Sequence, residues 1–461
     1  MPASNDLLRA AWNAPWGKRA PQTLYPPAAT NGHGPFASST RFVRPENLVL
    51  ADPTLKTYMG HSFEYARSLG EHAETLGQGV TTLASRHLSP DVGREIAAVP
   101  CFRFDLFHHF KLPAVCSFLP AGVRNWLSDE WNYSRHSRWI QQDLEAAQGQ
   151  LPMGPHTLVL FPTVGFNDIE PVVRWAERLP KERCPWIALV FHFTAYPDYS
   201  QPYHRAHYYT RALRYLERSC RRSRFRLFTD SDELADEYSD YTRLPLRVLP
   251  IPHVEHSNNT PRGQTDHGCD HPVRLTYLGD ARMNKGFHLL PQLFQQLEPE
   301  IRQGLVEGEI QANVRFADEW QARHAADRLR RQKGIILHDR ELSSPEYYAL
   351  LDRADTVLLP YLLENYHSQT SGIFAEALAV GKPVVVPRGT WMSRQLRQFG
   401  AGLTFLPGDR RSLYETCQSA IENCDQLKRQ AFERRHAWKQ RHSPGTYLQL
   451  VMDSLEEDGD G

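Results

Sequence analysis

The chain has 461 residues, 41% of them hydrophobic and 23% charged, and its 53 basic side chains balance 53 acidic ones. At roughly 150 residues per domain this is two or three globular units with volume for buried cores. A net charge of zero removes the bulk electrostatic argument for a nucleic-acid or polyanion binder, so composition favours an enzyme or a small-molecule binding protein.

Seven cysteines (Cys101, Cys116, Cys184, Cys220, Cys269, Cys417 and Cys424) are scattered, with no CxxC pair to start a zinc or redox site. Reduced thiols in a cytoplasmic chain are the expectation. No run approaches the roughly 18 to 20 apolar residues that a membrane span needs. Residues 1–44, rich in Pro, Ala, Gly, Ser and Thr without a sustained period, read as a flexible arm.

Residues 45–255 read as a first domain. NLVLAD is a short buried strand, HSFEYARSLGEHAETLG has helical spacing, and GVTTLAS is a second strand, an order that implies a parallel, right-handed unit. AVPCFRF, LVLFPTV, a helix over Pro171–Arg178, WIALVFHF, a long helix from Tyr203 to Cys220, FRLFTD and LRVLPIP continue the alternation. Strands this continuously apolar require helices on both faces of the sheet. Residues 256–272, polar and punctuated by Pro and Gly, read as a linker.

A second series fills residues 273–425: VRLTYLGD, a helix over GFHLLPQLFQQLEPE, a strand IQANVRFAD, a helix Trp320–Arg331, GIILHD, a helix over PEYYALLDRA, TVLLPY, a helix over GIFAEALAVG, and PVVVP. Residues 426–461 read as C-terminal helices, interrupted at Pro444, with an acidic tail. Two doubly wound α/β domains leave a cleft at the carboxyl ends of their strands, where ligands of open sheets bind.

The segment HSQTSGIFAEALAVGKPVVV carries the most chemistry. A polar run enters a helix whose first N–H groups have no intrahelical partner, and Ser368, Thr370 and Ser371 add hydroxyls, which together suit a phosphate. Glu376, among apolar neighbours, suits two adjacent hydroxyls such as those of a ribose. The plainer reading makes Ser371 an N-cap and Glu376 a surface residue. LGDARMNKG places Arg282 and Lys285 before Gly286, cations suited to a diphosphate, or a solvated loop whose cations meet Asp280.

These strings resemble family 4 glycosyltransferases. YLGDARMNKGFHLL is similar to the family's GR...KG segment, and SGIFAEALAVGKPVVVP to its EAmA.GkPVva segment. LADPTLKTYMGHSFEYARSLGEHAETLGQGVTTLASR, FTDSDELADEY before LRVLPIPHV, and FGAGLTFLPGD extend the likeness over residues 45–446. The resemblance implies a GT-B fold, two Rossmann-like domains facing each other across a cleft, and retaining transfer of a sugar from a nucleotide-diphosphate sugar to a glycan or lipid-linked acceptor, with no cofactor or metal. It places Lys285 on the donor diphosphate, Glu376 on the ribose, the Gly372 and Ile373 amides on phosphate, His192 on the transferred sugar, and Gly60 where the first loop approaches the donor. The sequence departs from the family at Asp280, where an arginine is expected and Arg282 must supply the charge, and at Ser368, where a glutamate is expected and Glu364 is the nearest upstream acid. Those departures keep open a degenerate relative that binds without transfer. Asp339 and Arg340 are candidates for contact with the base.

Other features divide between chemistry and structure. Asp230, Ser231 and Asp232 spell DxD, which binds metal in a different fold, but their place before a helix reads as capping. His253, His256, His267, Cys269 and His271 lack a zinc spacing. Arg211, Arg214, Arg218, Arg221 and Arg222 suit peripheral contact with an anionic membrane at its inner face, or a solvated helix face. The segment Asp105 to Pro113, DLFHHFKLP, lies where an acceptor loop belongs and would equally serve as core.

Overall fold

A computed structural model describes residues 44–58, 61–195, 206–252, 271–314 and 320–456, all within one compact unit. The expected arm up to residue 43, Gly60, and the expected linker up to residue 270 lie outside the described residues. Two parallel sheets organise the chain. The first contains β1 (Asn47–Ala51), β2 (Gly79–Ser85), β3 (Ala98–Phe102), β4 (Thr157–Val164), β5 (Trp186–Phe191), β6 (Phe225–Thr229) and β7 (Leu246–Val248) in the order β3-β2-β1-β4-β5-β6-β7. The second contains β8 (Val273–Tyr277), β9 (Val306–Gln311), β10 (Ile335–His338), β11 (Thr356–Leu358), β12 (Val384–Pro387) and β13 (Gly402–Phe405) in the order β10-β9-β8-β11-β12-β13.

The apolar runs follow from burial on both faces. In β1, Val49 and Ala51 join one core while Leu48 and Leu50 join another, because successive side chains point to opposite sides of the sheet. The last helix, Pro444–Glu456, closes the second of those cores: Tyr447, Leu448, Val451, Met452 and Leu455 pack with Leu48, Leu50, Leu160, Val190 and Phe228. The chain therefore finishes the second sheet and returns to cover the first. Arg226, buried on β6, fixes this return by donating to the Ser454 carbonyl at 2.6 Å.

Several elements differ from the sequence reading, each for a local reason. The strand expected over Ile310–Asp318 is instead Val306–Gln311, whose alternating glutamates are neutralised: Glu309 pairs with Arg353 at 2.7 Å and His338 at 3.0 Å, and Glu307 pairs with Arg274. The helix expected from Pro171 begins at Phe166, where Gly165 N–H donates to Asp168 Oδ2 at 2.7 Å; Pro171 forgoes only the bond to Asn167. The expected single helix over residues 286–300 is a 3-10 turn, Phe287–Leu289, and two short helices, Leu290–Gln296 and Glu298–Arg302, parted before Pro299. A 27-residue helix, Ala121–Ala147, went unread because its apolar stripe is narrow. At the other end, Asn423 and Pro444 divide the terminal run into Arg410–Glu422, Cys424–Arg441 and Pro444–Glu456.

Trp438 holds the junction before the return. Fully buried, it stacks on His442 at 3.7 Å and meets Phe374, Trp391 and Phe399 edge-on, while His442 Nδ1 accepts from the Ile251 amide at 3.0 Å. Trp438→Ala should cost about 3 to 5 kcal/mol through the cavity it leaves. The shift in urea midpoint checks this, and a variant as stable as the parent would show that the junction collapses without cost.

Candidate functional site

Each sheet reverses its order at one place, between β1 and β4 in the first and between β8 and β11 in the second. The candidate residues gather at those carboxyl ends. On the second sheet, the loop after β8 turns through Gly279 (φ 90°) and Gly286 (φ 68°), both left-handed. A Cβ on Gly286 would sit 1.8 Å from the Pro360 carbonyl oxygen, and one on Gly279 would sit 2.5 Å from Ile373 Cδ1 and 3.2 Å from Lys285 Nζ. Glycine at both positions lets the loop close on the strand end and brings Lys285 against Ile373. Lys285 Nζ lies 5.8 Å from the centre of the Tyr361 ring.

The helix Gly372–Ala379 starts beside this cation. Ser371 is its N-cap, with Oγ accepting from the Phe374 amide at 3.2 Å, so the capping role is real. Gly372 and Ile373 are the first helical residues, whose N–H groups point out of the helix end. Glu376 lies further along, accepting from the Tyr347 hydroxyl. Burial pushes its carboxyl up to about 7, opposed by the Tyr347 hydrogen bond and by the Lys285 charge and reinforced by Glu64. Glu376 is therefore not the solvated surface carboxylate of the plainer reading.

Arg282 meets Asp280 rather than standing clear: its guanidinium donates to Asp280 Oδ2 at 2.6 Å, while Asn313 Nδ2 donates to Asp280 Oδ1 at 3.2 Å. Asp280 thus holds the Arg282 guanidinium in place.

On the first sheet, His192 follows β5 and Asp230 follows β6. His192 Nδ1 lies 2.6 Å from Asp230 Oδ2 and Nε2 lies 2.5 Å from the Pro162 carbonyl oxygen. The Pro162 carbonyl accepts from Nε2, and Nδ1 is tied to the Asp230 carboxyl. Burial alone would depress the pKa of the ring, but the Asp230 charge and hydrogen bond, with smaller help from Pro162 and Asp52, raise it. The ring's two polar atoms are thus engaged within the protein.

The two sheets meet at this histidine's partner. Thr370 Oγ1 donates to the same Asp230 oxygen, Ser231 Oγ donates to the Ser368 carbonyl at 2.6 Å, and Glu233 pairs with Arg394, whose guanidinium also reaches the His367 carbonyl. Ser231 also caps the helix Asp232–Ser239, accepting from Leu234 N–H at 3.2 Å, as its place in the sequence predicts. Among the described residues no cluster of three or more His, Cys, Asp or Glu could hold a metal ion. Three buried carboxylates lie at the carboxyl side of the first sheet, Asp52 after β1, Asp168 in the first turn of the helix after β4 and Asp230 after β6, and each keeps one oxygen without a partner.

A cleft of about 730 Å³ opens between the elements flanking the two sheets, lined by Tyr58, Glu64 and Arg67 on one side and by Leu342, Ser343 and Tyr348 on the other. The remaining candidates are placed otherwise. Glu364 is exposed on the short helix Leu363–Tyr366, Asp339 pairs with Arg330 at 3.0 Å, and Arg340 pairs with Glu346 at 2.5 Å, all at the surface. The basic helix is divided: Arg211 pairs with Glu130 at 3.2 Å and Arg221 donates to the Leu179 carbonyl at 2.9 Å, whereas Arg214, Arg218 and Arg222 are exposed. Sequence reasoning missed Tyr347 and the Asp230 contacts, and only the DSD triplet before a helix drew attention to the latter.

No protein-family model matches the chain, and no curated protein sequence matches it. Solved structures do. A glycosyltransferase from Rickettsia africae aligns with a TM-score of 0.60 at 9% identity over 90% of this chain and 100% of its own. Sucrose-phosphate synthase from Thermosynechococcus elongatus gives 0.60 at 12% identity over 91% and 100%. Anabaena HepE, solved in complex with UDP and glucose, gives 0.59 at 12% identity over 89% and 99%. The fold is GT-B: two parallel, helix-covered sheets in one chain.

Two predictions follow from the ionised groups. Asp230→Asn removes the charge that raises the His192 pKa, so the imidazole should titrate at lower pH, read from its ring resonances by NMR; an unmoved titration would place the stabilising charge elsewhere. Glu376 favours its protonated form in the folded chain, so its contribution to stability is full at acid pH and is lost as pH rises through about 7. The melting temperature of the parent relative to Glu376→Gln should therefore fall between about pH 5 and pH 8, and a constant difference would refute the raised pKa.

Proposed function

We propose that this protein is a glycosyltransferase of the family 4 type, moving a sugar from a nucleotide-diphosphate sugar to an acceptor hydroxyl with retention of anomeric configuration. One observation carries the reading: Lys285 Nζ, Ile373 and the turn at Gly279 converge where the second sheet reverses, at the open end of the Gly372–Ala379 helix. A cation beside free helix amides suits a diphosphate. Glu376, on the same helix, is the group for the ribose hydroxyls. The likeness to HepE, a structure holding UDP and glucose, supports a nucleotide sugar as donor.

In this mechanism the acceptor oxygen attacks the anomeric carbon from the face the nucleotide leaves. The bond from that carbon to the phosphate oxygen breaks, and the acceptor's proton passes to the departing phosphate. No protein nucleophile is needed. The protein positions the two substrates and stabilises the charge that develops on the diphosphate, the work of Lys285, the Gly372 and Ile373 amides and, from its tether on Asp280, Arg282. His192, its pKa raised by Asp230, is held at the end of the first sheet. Thr370 acts through loop shape, since its hydroxyl donates to Asp230, while Ser371 caps the helix as an acceptor and its O–H is the group for the phosphate.

Calorimetric titration with UDP, GDP, ADP and CMP tests the donor site. One diphosphate should bind selectively, and Glu376→Gln should weaken it by about 1 to 3 kcal/mol through loss of the carboxyl group's hydrogen bonds to the ribose. Lys285→Ala should lower turnover, or slow donor hydrolysis where the acceptor is unknown, by about a hundredfold or more. Binding without hydrolysis in the parent would make the protein a degenerate binder. No binding at millimolar nucleotide, or unchanged turnover in Lys285→Ala, would remove the assignment.

A further inference from the structure

The cleft between the elements flanking the two sheets is acidic. Among the described residues, four carboxylates line it, Glu64 and Glu95 on one side and Glu341 and Asp352 on the other, against one cation, Arg67. That cation is held within the protein. Its guanidinium donates to Glu64 Oε2 at 2.9 Å, lies 4.0 Å from Glu95 and sits over the Phe63 ring, 5.4 Å from its centre.

The cleft also adjoins the group assigned to the ribose. Tyr347, whose hydroxyl donates to Glu376, is followed on the helix Ser344–Arg353 by Tyr348, which lines the cleft. Burial and, less strongly, the Glu64 charge raise the Glu376 carboxyl; burial and then the Glu376 and Glu64 charges raise the Tyr348 hydroxyl. Glu376 therefore lies close to the cleft wall. In the loop after β10, Asp339 and Arg340 turn to Arg330 and Glu346, whereas Glu341 and Leu342 line the cleft.

We propose that this cleft receives the base of the donor nucleotide and that the base is guanine, read by Glu341. The proposal rests on the donor reading above and adds the identity of the base to it. With the ribose hydroxyls on Glu376, the base extends from the far side of the sugar ring into the adjoining cleft, whose volume of about 730 Å³ takes a purine. An ionised carboxylate only accepts hydrogen bonds. Guanine offers it two adjacent donors, N1–H and the 2-amino group, which one carboxylate matches with both oxygens. Uracil offers a single N–H between two carbonyl oxygens that carboxylates repel, and the N1 of adenine is an acceptor. An excess of acids whose one cation is engaged thus favours the donor-rich edge and penalises the others. The UDP held by Anabaena HepE does not carry over, because a base is read by individual side chains that 12% identity does not preserve.

The test is calorimetric titration of the full chain with GDP, IDP, UDP and ADP, IDP being the analogue of GDP that lacks only the 2-amino group. GDP should bind about tenfold or more tighter than each of the others, on the scale of one bidentate pair. Glu341→Gln, whose amide offers one acceptor where the carboxylate offers two, should bring the affinities for GDP and IDP close together with the melting temperature unchanged. Equal affinity of the parent for GDP and IDP, or an unchanged ratio in Glu341→Gln, overturns the proposal. Tighter binding of UDP or ADP overturns it too, and if Lys285→Ala weakens that binding the donor site stands without guanine. Binding of none of the four removes the donor site and the base reading together.

Discussion

The contact between residues 230–233 and 367–371 is what the rest of the site depends on. One carboxylate oxygen of Asp230 receives both the His192 ring and the Thr370 hydroxyl, and flanking bonds from Ser231 and Glu233 fix the same loop. The loop belongs to the second sheet and leads into the helix whose open end faces Lys285. A displacement of Asp230 would thus move the His192 ring on one sheet and the Thr370 loop on the other together. Asp230 is buried with its other oxygen unpartnered and its charge raises the His192 pKa, so the geometry and the protonation of that ring are coupled.

The return of the last helix has the same consequence at larger scale. By packing on the first sheet after the second is complete, Pro444–Glu456 makes the halves share a core. Tyr65, from the helix His61–Thr75 beside the first sheet, joins the core of the second with Tyr361, Ile373 and Phe374. The cleft is consequently bounded by elements that cannot be exchanged independently.

Asp280 accepts from Arg282 and Asn313, so its carboxylate holds a guanidinium beside the end of β8. Ser368 is different: its backbone carbonyl, not its side chain, makes the contact with Ser231.

Much of this was legible in the sequence. Continuous apolar strands such as LVLF and VVV state that both faces are buried, and the parallel order follows from the helices between them, because local periodicity is a property of neighbouring residues. The N-cap roles of Ser231 and Ser371, Gly286 in a tight turn, and Lys285 beside a helix end were readable for the same reason. What the sequence could not decide depends on residues far apart in the chain. VEGEIQ is a strand only because Arg274, His338 and Arg353 neutralise its glutamates, and Glu376 is raised towards neutrality only because packing buries it, against the opposing hydrogen bond from Tyr347. Thr370 is tied to Asp230 across 140 residues, and Phe118 and Trp126 are exposed because no other element among the described residues covers them. Local pattern determined the two sheets and the elements carrying the site; partners, protonation and exposure are set by long-range packing, which no local spacing records.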